Sequence, residues 1–230
     1  MNIKNVKKLI VFASHPDDET IGCGGTIKKL SEKGCEVIVV FATSGNTGVD
    51  QSRNYEKNIK TTRLKEANEA AKILGIKKII SWKNNTQELQ YNLKLLHDAI
   101  KLIRKEKPDL IITHSNIDKH NDHVALNKII TQACWKAGEN LLPSLGKIHK
   151  VSNLWAFEVV DILSNVDYIV DISDQFKSKI KAINAYNSQH EIILGIRNFI
   201  EGVSLVRGYE IGTKHAEAFK NISLQPKEVL

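Results

Sequence analysis

A chain of 230 residues, 42% hydrophobic and 26% charged, can bury a full core as a single domain over 1–230, and it shows no collagen-like, disulfide-rich or low-complexity signature. Its +7 formal charge is spread over scattered lysines (Lys28, Lys29, Lys57, Lys77, Lys78, Lys177 to Lys181) rather than one aromatic-interleaved stripe, which reads as a solvated surface and argues against a nucleic-acid partner. The three cysteines lack paired spacing and fit reduced thiols. The N-terminal apolar run is too short for a signal peptide, and no segment approaches the ~20 apolar residues of a membrane span, so a cytoplasmic location is expected.

In chain order, the apolar run Leu9 to Ala13 predicts a strand over 7–13 that ends on Ser14-His15-Pro16-Asp17-Asp18-Glu19. One imidazole and two adjacent carboxylates crowd that strand end, where like charges repel and a desolvated carboxylate needs a partner. A divalent cation resolves the conflict: His15 and Asp18, three residues apart, can close on one ion while Asp17 stays free as a base. The competing reading is a turn in which Pro16 fixes φ and the aspartates cap the next helix.

A helix is expected over 22–33. Its Gly22-Cys23-Gly24-Gly25 opening resembles a nucleotide-binding loop but lacks the full G-x-G-x-x-G spacing and a Walker lysine, so close strand-to-helix packing accounts for it better. The run Val37 to Phe41 predicts a strand over 36–43 buried on both faces, followed by a polar loop over 44–55 suited to a lid or substrate contact. A helix over 56–74, a strand over 77–82 and a helix over 88–105 come next, the last stopped by Pro108.

A second cluster follows the strand expected over 109–114, where His114, Asp118, His120, Asp122 and His123 lead into a helix over 122–138. His120 and His123 lie within one turn if that helix starts near Asn121 or Asp122, and His123 completes an open site with His15 and Asp18. His114 has no partner at ligand spacing and is placed outside the donor set. Strands over 151–160 and 167–172 and a helix over 174–187 complete the regular part, and glycines interrupt the pattern from 188, predicting short helices and loops that cap one end over 188–230. Strands alternating with helices define an α/β, Rossmann-like fold: a mostly parallel sheet flanked by helices, with the active site at the carboxyl ends of the strands.

The Ser-His-Pro-Asp-Asp-Glu and Asn-Asp-His-Val-Ala-Leu runs and their spacing resemble the PIG-L/LmbE family of metal-dependent N-acetylglucosaminyl deacetylases. The resemblance covers most of the chain, with weaker support from Arg63-Leu64-Lys65-Glu66-Ala67 and Val170-Asp171-Ile172-Ser173. It implies a hydrolase that removes the N-acetyl group from an N-acetylglucosamine-type conjugate. By the same resemblance Zn2+, with Fe2+ or another divalent metal as the substitute, sits on His15, Asp18 and His123. Asp17 is then the base and His120 the histidine near the scissile carbonyl, oriented by Asp122, while the family counterpart of Arg63 reaches the substrate. Ser44 and Asn46 are weaker candidates for sugar hydroxyls, and Glu19 competes with Asp17 as base. Two departures stand out: Asn121 replaces a proline common among relatives, and Asp118 occupies the position where some relatives carry a tyrosine near the oxyanion. The expected partner is a small N-acetylated amino-sugar conjugate, and a homo-oligomer is compatible with the sequence. The alternative class is a Rossmann-like nucleotide- or sugar-nucleotide-binding enzyme without a metal site.

Overall fold

Successive side chains of a strand point to opposite faces, so a continuous apolar run implies burial on both. Strand β1 (Lys8–Ala13) sends Leu9, Val11 and Ala13 into one core and Ile10 and Phe12 into the other. Strand β2 (Glu36–Thr43) does the same with Val37, Val39 and Phe41 against Ile38, Val40 and Ala42. The coordinates are a computed structural model that describes residues 3–46, 59–189 and 194–224.

The first core lies under helices α1 (Asp18–Glu32), α2 (Ile59–Leu74) and α5 (Phe176–Ile183), the second under α3 (Leu93–Glu106) and α4 (Asn121–Ala137). With β3 (Lys78–Asn84), β4 (Leu110–His114), β5 (Leu154–Phe157), β6 (Tyr168–Asp171) and β7 (Ala216–Asn221), the strands form one seven-stranded sheet of order β3-β2-β1-β4-β5-β7-β6. The five strands from β3 to β5 are parallel, and β7 runs antiparallel to both β5 and β6. The chain leaves β1 toward β2 on one side and later returns to β4 on the other. The carboxyl ends of β1 and β4 therefore flank a topological switch point, where an open α/β sheet leaves a crevice.

Several boundaries differ from the sequence expectation. The strand expected over 151–160 is confined to Leu154–Phe157, and the helix expected over 174–187 ends at Ile183. The helix expected from 22 starts at Asp18 and breaks at Cys23 (φ −145°, ψ 22°). The largest difference lies beyond residue 188, where a sixteen-residue helix α6 (Ile196–Ile211) and strand β7 replace the expected short helices and loops. Strand β7 escaped the hydropathy pattern because it carries Glu217, which is 4% exposed and neutralised by Lys179 at 2.6 Å. The Glu217 carboxylate also accepts from Gly25 N–H at 2.8 Å and Thr26 N–H at 2.7 Å, donors that the break at Cys23 leaves free.

The glycines of α1 are packing residues. A Cβ on Gly22 would stand 2.4 Å from Phe157 Cδ2, and one on Gly25 2.6 Å from Ile172 Cδ1. Residues 47–55 of the expected lid loop and 56–58 of the expected helix fall outside the described residues.

Candidate metal centre and active site

The turn after β1 is built around an unfavourable backbone. Asp17 has φ 126° and ψ −31°, a conformation that a residue with a Cβ rarely adopts and that structures hold where geometry matters. Its N–H donates to Glu19 Oε2 at 3.1 Å, and its C=O accepts from Thr20 and Ile21 N–H at 2.9 Å each, which starts α1. Glu19 is fully interior, accepting on Oε1 from Tyr186 OH at 2.7 Å and Thr20 OH at 2.6 Å. It supports the turn from behind.

Across the switch point, α4 presents His123 toward β1. His15 Nδ1, Asp18 Oδ2 and His123 Nε2 stand 3.1, 3.3 and 3.4 Å from one another. Donors bonded at about 2.0–2.2 Å to a tetrahedral ion are themselves about 3.3–3.6 Å apart, so these three need only a small outward shift to close on such an ion. Each imidazole has its other nitrogen on a carboxylate, His15 Nε2 3.0 Å from Asp122 Oδ2 and His123 Nδ1 3.1 Å from Asp118 Oδ2, the outer arrangement that fixes ligating histidines. His114 and His120 are near enough to form overlapping donor groups, Asp18 with His114 and His123, and His15 with His120 and His123.

Charge follows the same geometry. Burial lowers the His15 and His123 imidazoles, but Asp18 and the outer carboxylates override it and raise them to about 9 and about 10. Burial pushes Asp18 up, yet His123, His15 and His114 together hold it well below the usual carboxylate range. His114 is the exception: burial first, then His123, lowers it to about 4, and its Nε2 accepts from Ser14 N–H at 2.8 Å. A neutral His114 stacked on His123, with centroids 3.9 Å apart, acts as a packing plate.

Asp17 is raised to about 7, mainly by burial and against the pull of Arg63. Arg63 Nη2 donates to Asp17 Oδ2 at 2.8 Å and also to the Pro16 carbonyl, while Nη1 donates to the Gly45 carbonyl at 3.3 Å. The arginine that the resemblance points toward substrate thus also holds the candidate base.

The expected pairing of Asp122 with His120 is corrected. The Asp122 carboxylate accepts from Gln87 N–H at 2.8 Å and Leu89 N–H at 3.1 Å and faces His15, whereas only its backbone N–H meets His120, donating to Nδ1 at 3.2 Å. His120 is not held charged: burial, then His15 and His123, lower its pKa. With Nδ1 accepting, the neutral ring carries its proton on Nε2.

Ser44 and Asn46 are committed elsewhere, Ser44 OH donating to the Asn84 carbonyl at 3.2 Å and Asn46 Oδ1 accepting from Thr86 N–H at 2.8 Å. Neither lines the cavity of about 460 Å³ that opens over the donor set. His15, Asp17, Asp18, Arg63, His120 and His123 line its polar side, and Ile21, Val159, Val160, Leu194, Ile196 and Phe199 form an apolar wall. That wall is braced by Arg207, which pairs with Glu158 through Nε at 3.1 Å and Nη2 at 2.8 Å and fastens the end of β5 to α6. In the sequence Asp118 stands out only as the replacement of a tyrosine that some relatives carry. The available signal was a carboxylate five residues before a candidate ligand histidine.

An α/β sheet that gathers imidazole and carboxylate donors beside a spare buried carboxylate has the architecture of a metal-dependent hydrolase. Comparison with known proteins is more specific: the family model PIG-L, described as GlcNAc-PI de-N-acetylase, matches residues 10–134, and the chain belongs to that family of deacetylases. Diacetylchitobiose deacetylase of Thermococcus kodakarensis is 28% identical over 94% of this chain and 83% of its own length. A probable N-acetyl-alpha-D-glucosaminyl L-malate deacetylase 2 of Bacillus cereus is 30% identical over 81% of this chain and 84% of its own. Among solved structures, N,N'-diacetylchitobiose deacetylase from Pyrococcus horikoshii aligns with TM-score 0.87 and 30% identity over 96% of this chain and 85% of that one. The 4-carboxy-2-hydroxymuconate hydratase GalB of Pseudomonas putida aligns with TM-score 0.85 at 21% identity, a likeness of fold alone.

Proposed function

We propose that this chain hydrolyses the acetamide of an N-acetylglucosamine-type sugar conjugate, releasing acetate and the free amino sugar, with zinc held by His15, Asp18 and His123. The observation that carries the reading is the set of three donor atoms 3.1 to 3.4 Å apart at the switch point, with Asp17 beside them. Two imidazoles and one carboxylate with an open position suit zinc, and iron(II) accepts the same donors. When bound there, the ion supplies Lewis acidity, lowering the pKa of coordinated water to about 7 and polarising the acetamide carbonyl.

Asp17 takes the proton of the attacking water, with Arg63 fixing its carboxylate. His120 lines the cavity with its proton on Nε2 and donates to the oxygen that becomes negative as the carbonyl carbon turns tetrahedral. The C–N bond then breaks, and the proton held on Asp17 leaves with the amine. The substrate class is supported by the relatives named above, a diacetylchitobiose deacetylase and a probable N-acetyl-alpha-D-glucosaminyl L-malate deacetylase. A cytoplasmic address is supported by three free cysteines. Among the described residues, no helix is long and apolar enough to cross a membrane. The nucleotide-binding reading loses its main support, because Gly22 and Gly25 are filled by Phe157 and Ile172.

The test is acetate release from N-acetylglucosamine, diacetylchitobiose and N-acetylglucosaminyl malate, run alongside metal analysis. About one zinc per chain and acetate from at least one conjugate are expected, and Asp17→Asn should keep the metal while losing about 10²–10⁴-fold in rate. Undiminished deacetylation by His123→Ala, or a blank across the panel from metal-loaded enzyme, would overturn the reading.

A further inference from the structure

We infer that Asp118 is a positioning residue that presets His123 and His120 together, the inference resting on the reading of His123 as a ligand. Its side chain is 3% exposed although it comes from a loop. Oδ1 accepts the His120 N–H at 2.8 Å, fixing the residue that opens α4, and Oδ2 lies 3.1 Å from His123 Nδ1. That nitrogen is buried, and the Asp118 carboxylate meets it at ion-pair distance rather than as an aligned hydrogen bond. An imidazole that gives Nε2 to an ion must carry its proton on Nδ1. A carboxylate at Nδ1 selects that tautomer and holds the ring in line.

The loop around Asp118 is itself anchored. Asp161 accepts from Lys119 N–H at 2.7 Å and pairs with the Lys119 ammonium at 3.0 Å. Asp161 thus ties the chain just after Val159 and Val160 to the loop that carries Asp118. Asp122 performs the matching task for His15 from the first turn of α4, at 3.0 Å from Nε2. The two outer carboxylates lie four residues apart in one loop-to-helix segment and serve ligands from the two halves of the chain.

Asp118→Asn separates the two contacts. The amide oxygen can still accept from His120 N–H, but the amide NH2 cannot accept from His123 Nδ1. Zinc affinity by chelator competition should fall about 10- to 100-fold. The absorption bands of the cobalt(II) form should change as well. Asp161→Asn, which loosens the same loop without touching His123, should lower affinity by less than Asp118→Asn does. Affinity within twofold of wild type for Asp118→Asn, or an equal loss in Asp161→Asn, would overturn the proposal. If Asp118→Asn fails to fold, imidazole ¹H–¹⁵N spectra of the zinc-loaded wild type put the same question: a His123 proton on Nδ1 protected from solvent supports the proposal, and a solvent-exchanging one overturns it. A wild-type chain that takes up no zinc would refute the ligand reading itself, a different failure from normal zinc uptake with no Asp118 effect.

Discussion

Arg63 Nη2 and Asp17 Oδ2 meet at 2.8 Å with both side chains at most 5% exposed, so the candidate base has a buried counter-charge contributed by a helix 46 residues away in sequence. Burial raises Asp17 to about 7, and Arg63 is the leading influence opposing it. Removing the guanidinium in Arg63→Met should raise Asp17 further. The base works only when ionised, so the rise of kcat/KM with pH should move to higher pH. The buried carboxylate would also lose its partner, at a cost of about 3–5 kcal/mol where it is ionised. The stability loss by urea titration should accordingly be larger at pH 8.5 than at pH 5, where protonation removes the unpaired charge. An unmoved pH profile would refute the pairing.

Legibility in the sequence followed the range of the interactions. Strands β1, β2 and β4 are buried on both faces, so their apolar runs were plain, and the candidate donors His15, in the turn after β1, and Asp18 and His123, in the first turns of α1 and α4, stood out by their spacing. Strand β7 was hidden because Glu217 interrupts its apolar pattern, and its burial depends on Lys179 in α5. The destination of Asp122 was misread because adjacency in sequence favours His120, whereas the first turn of α4 turns that side chain back toward the β1 loop and His15. Arg63 stands out in the sequence only as a substrate contact, and nothing local announces its pairing with Asp17 across the turn after β1.

His114 tests which donor group is used. It lies 3.3 Å from Asp18 Oδ2, close enough for the alternative group of Asp18, His114 and His123. Its Nε2 already accepts the Ser14 N–H, and burial holds the ring neutral, so it is expected to be a packing residue. His114→Phe should keep the stack on His123 and about one zinc per chain, while leaving the Ser14 N–H unsatisfied at a cost of about 1–3 kcal/mol. Loss of the metal with the fold intact would make His114 a ligand.

Metal uptake should depend on pH in a definite direction. In the metal-free protein burial works against the charged imidazoles, but Asp18 and its neighbours keep His15 protonated up to about 9 and His123 up to about 10. Zinc must therefore displace protons at neutral pH, and affinity should rise with pH across 6 to 8. Calorimetry in buffers of different ionisation enthalpy should show net proton release on binding, and dialysis against chelator should strip the metal faster at pH 6 than at pH 8. Zinc binding that is independent of buffer and pH would place the ion on other donors.

Gly22 connects packing to the site through three rings. A Cβ there would stand 2.4 Å from Phe157 Cδ2, the Phe157 ring lies 4.7 Å from the His114 ring, and His114 stacks on His123 at 3.9 Å. Gly22 sits inside a helix where alanine is the better helix former, so local propensity alone predicts that Gly22→Ala gains up to about 1 kcal/mol. The backbone of α1 is held to β7 through Glu217, however, and Phe157 is fully buried. Overpacking should win, with a net loss of about 1–3 kcal/mol in the unfolding free energy. Because the displaced ring presses on His114 and through it on His123, zinc affinity should fall as well, whereas Gly202→Ala, at a position with open space around it, should be neutral or stabilising with unchanged metal binding. A stabilised Gly22→Ala variant would show that α1 can slide over the sheet, and the close-packing account of the glycine run would fail with it.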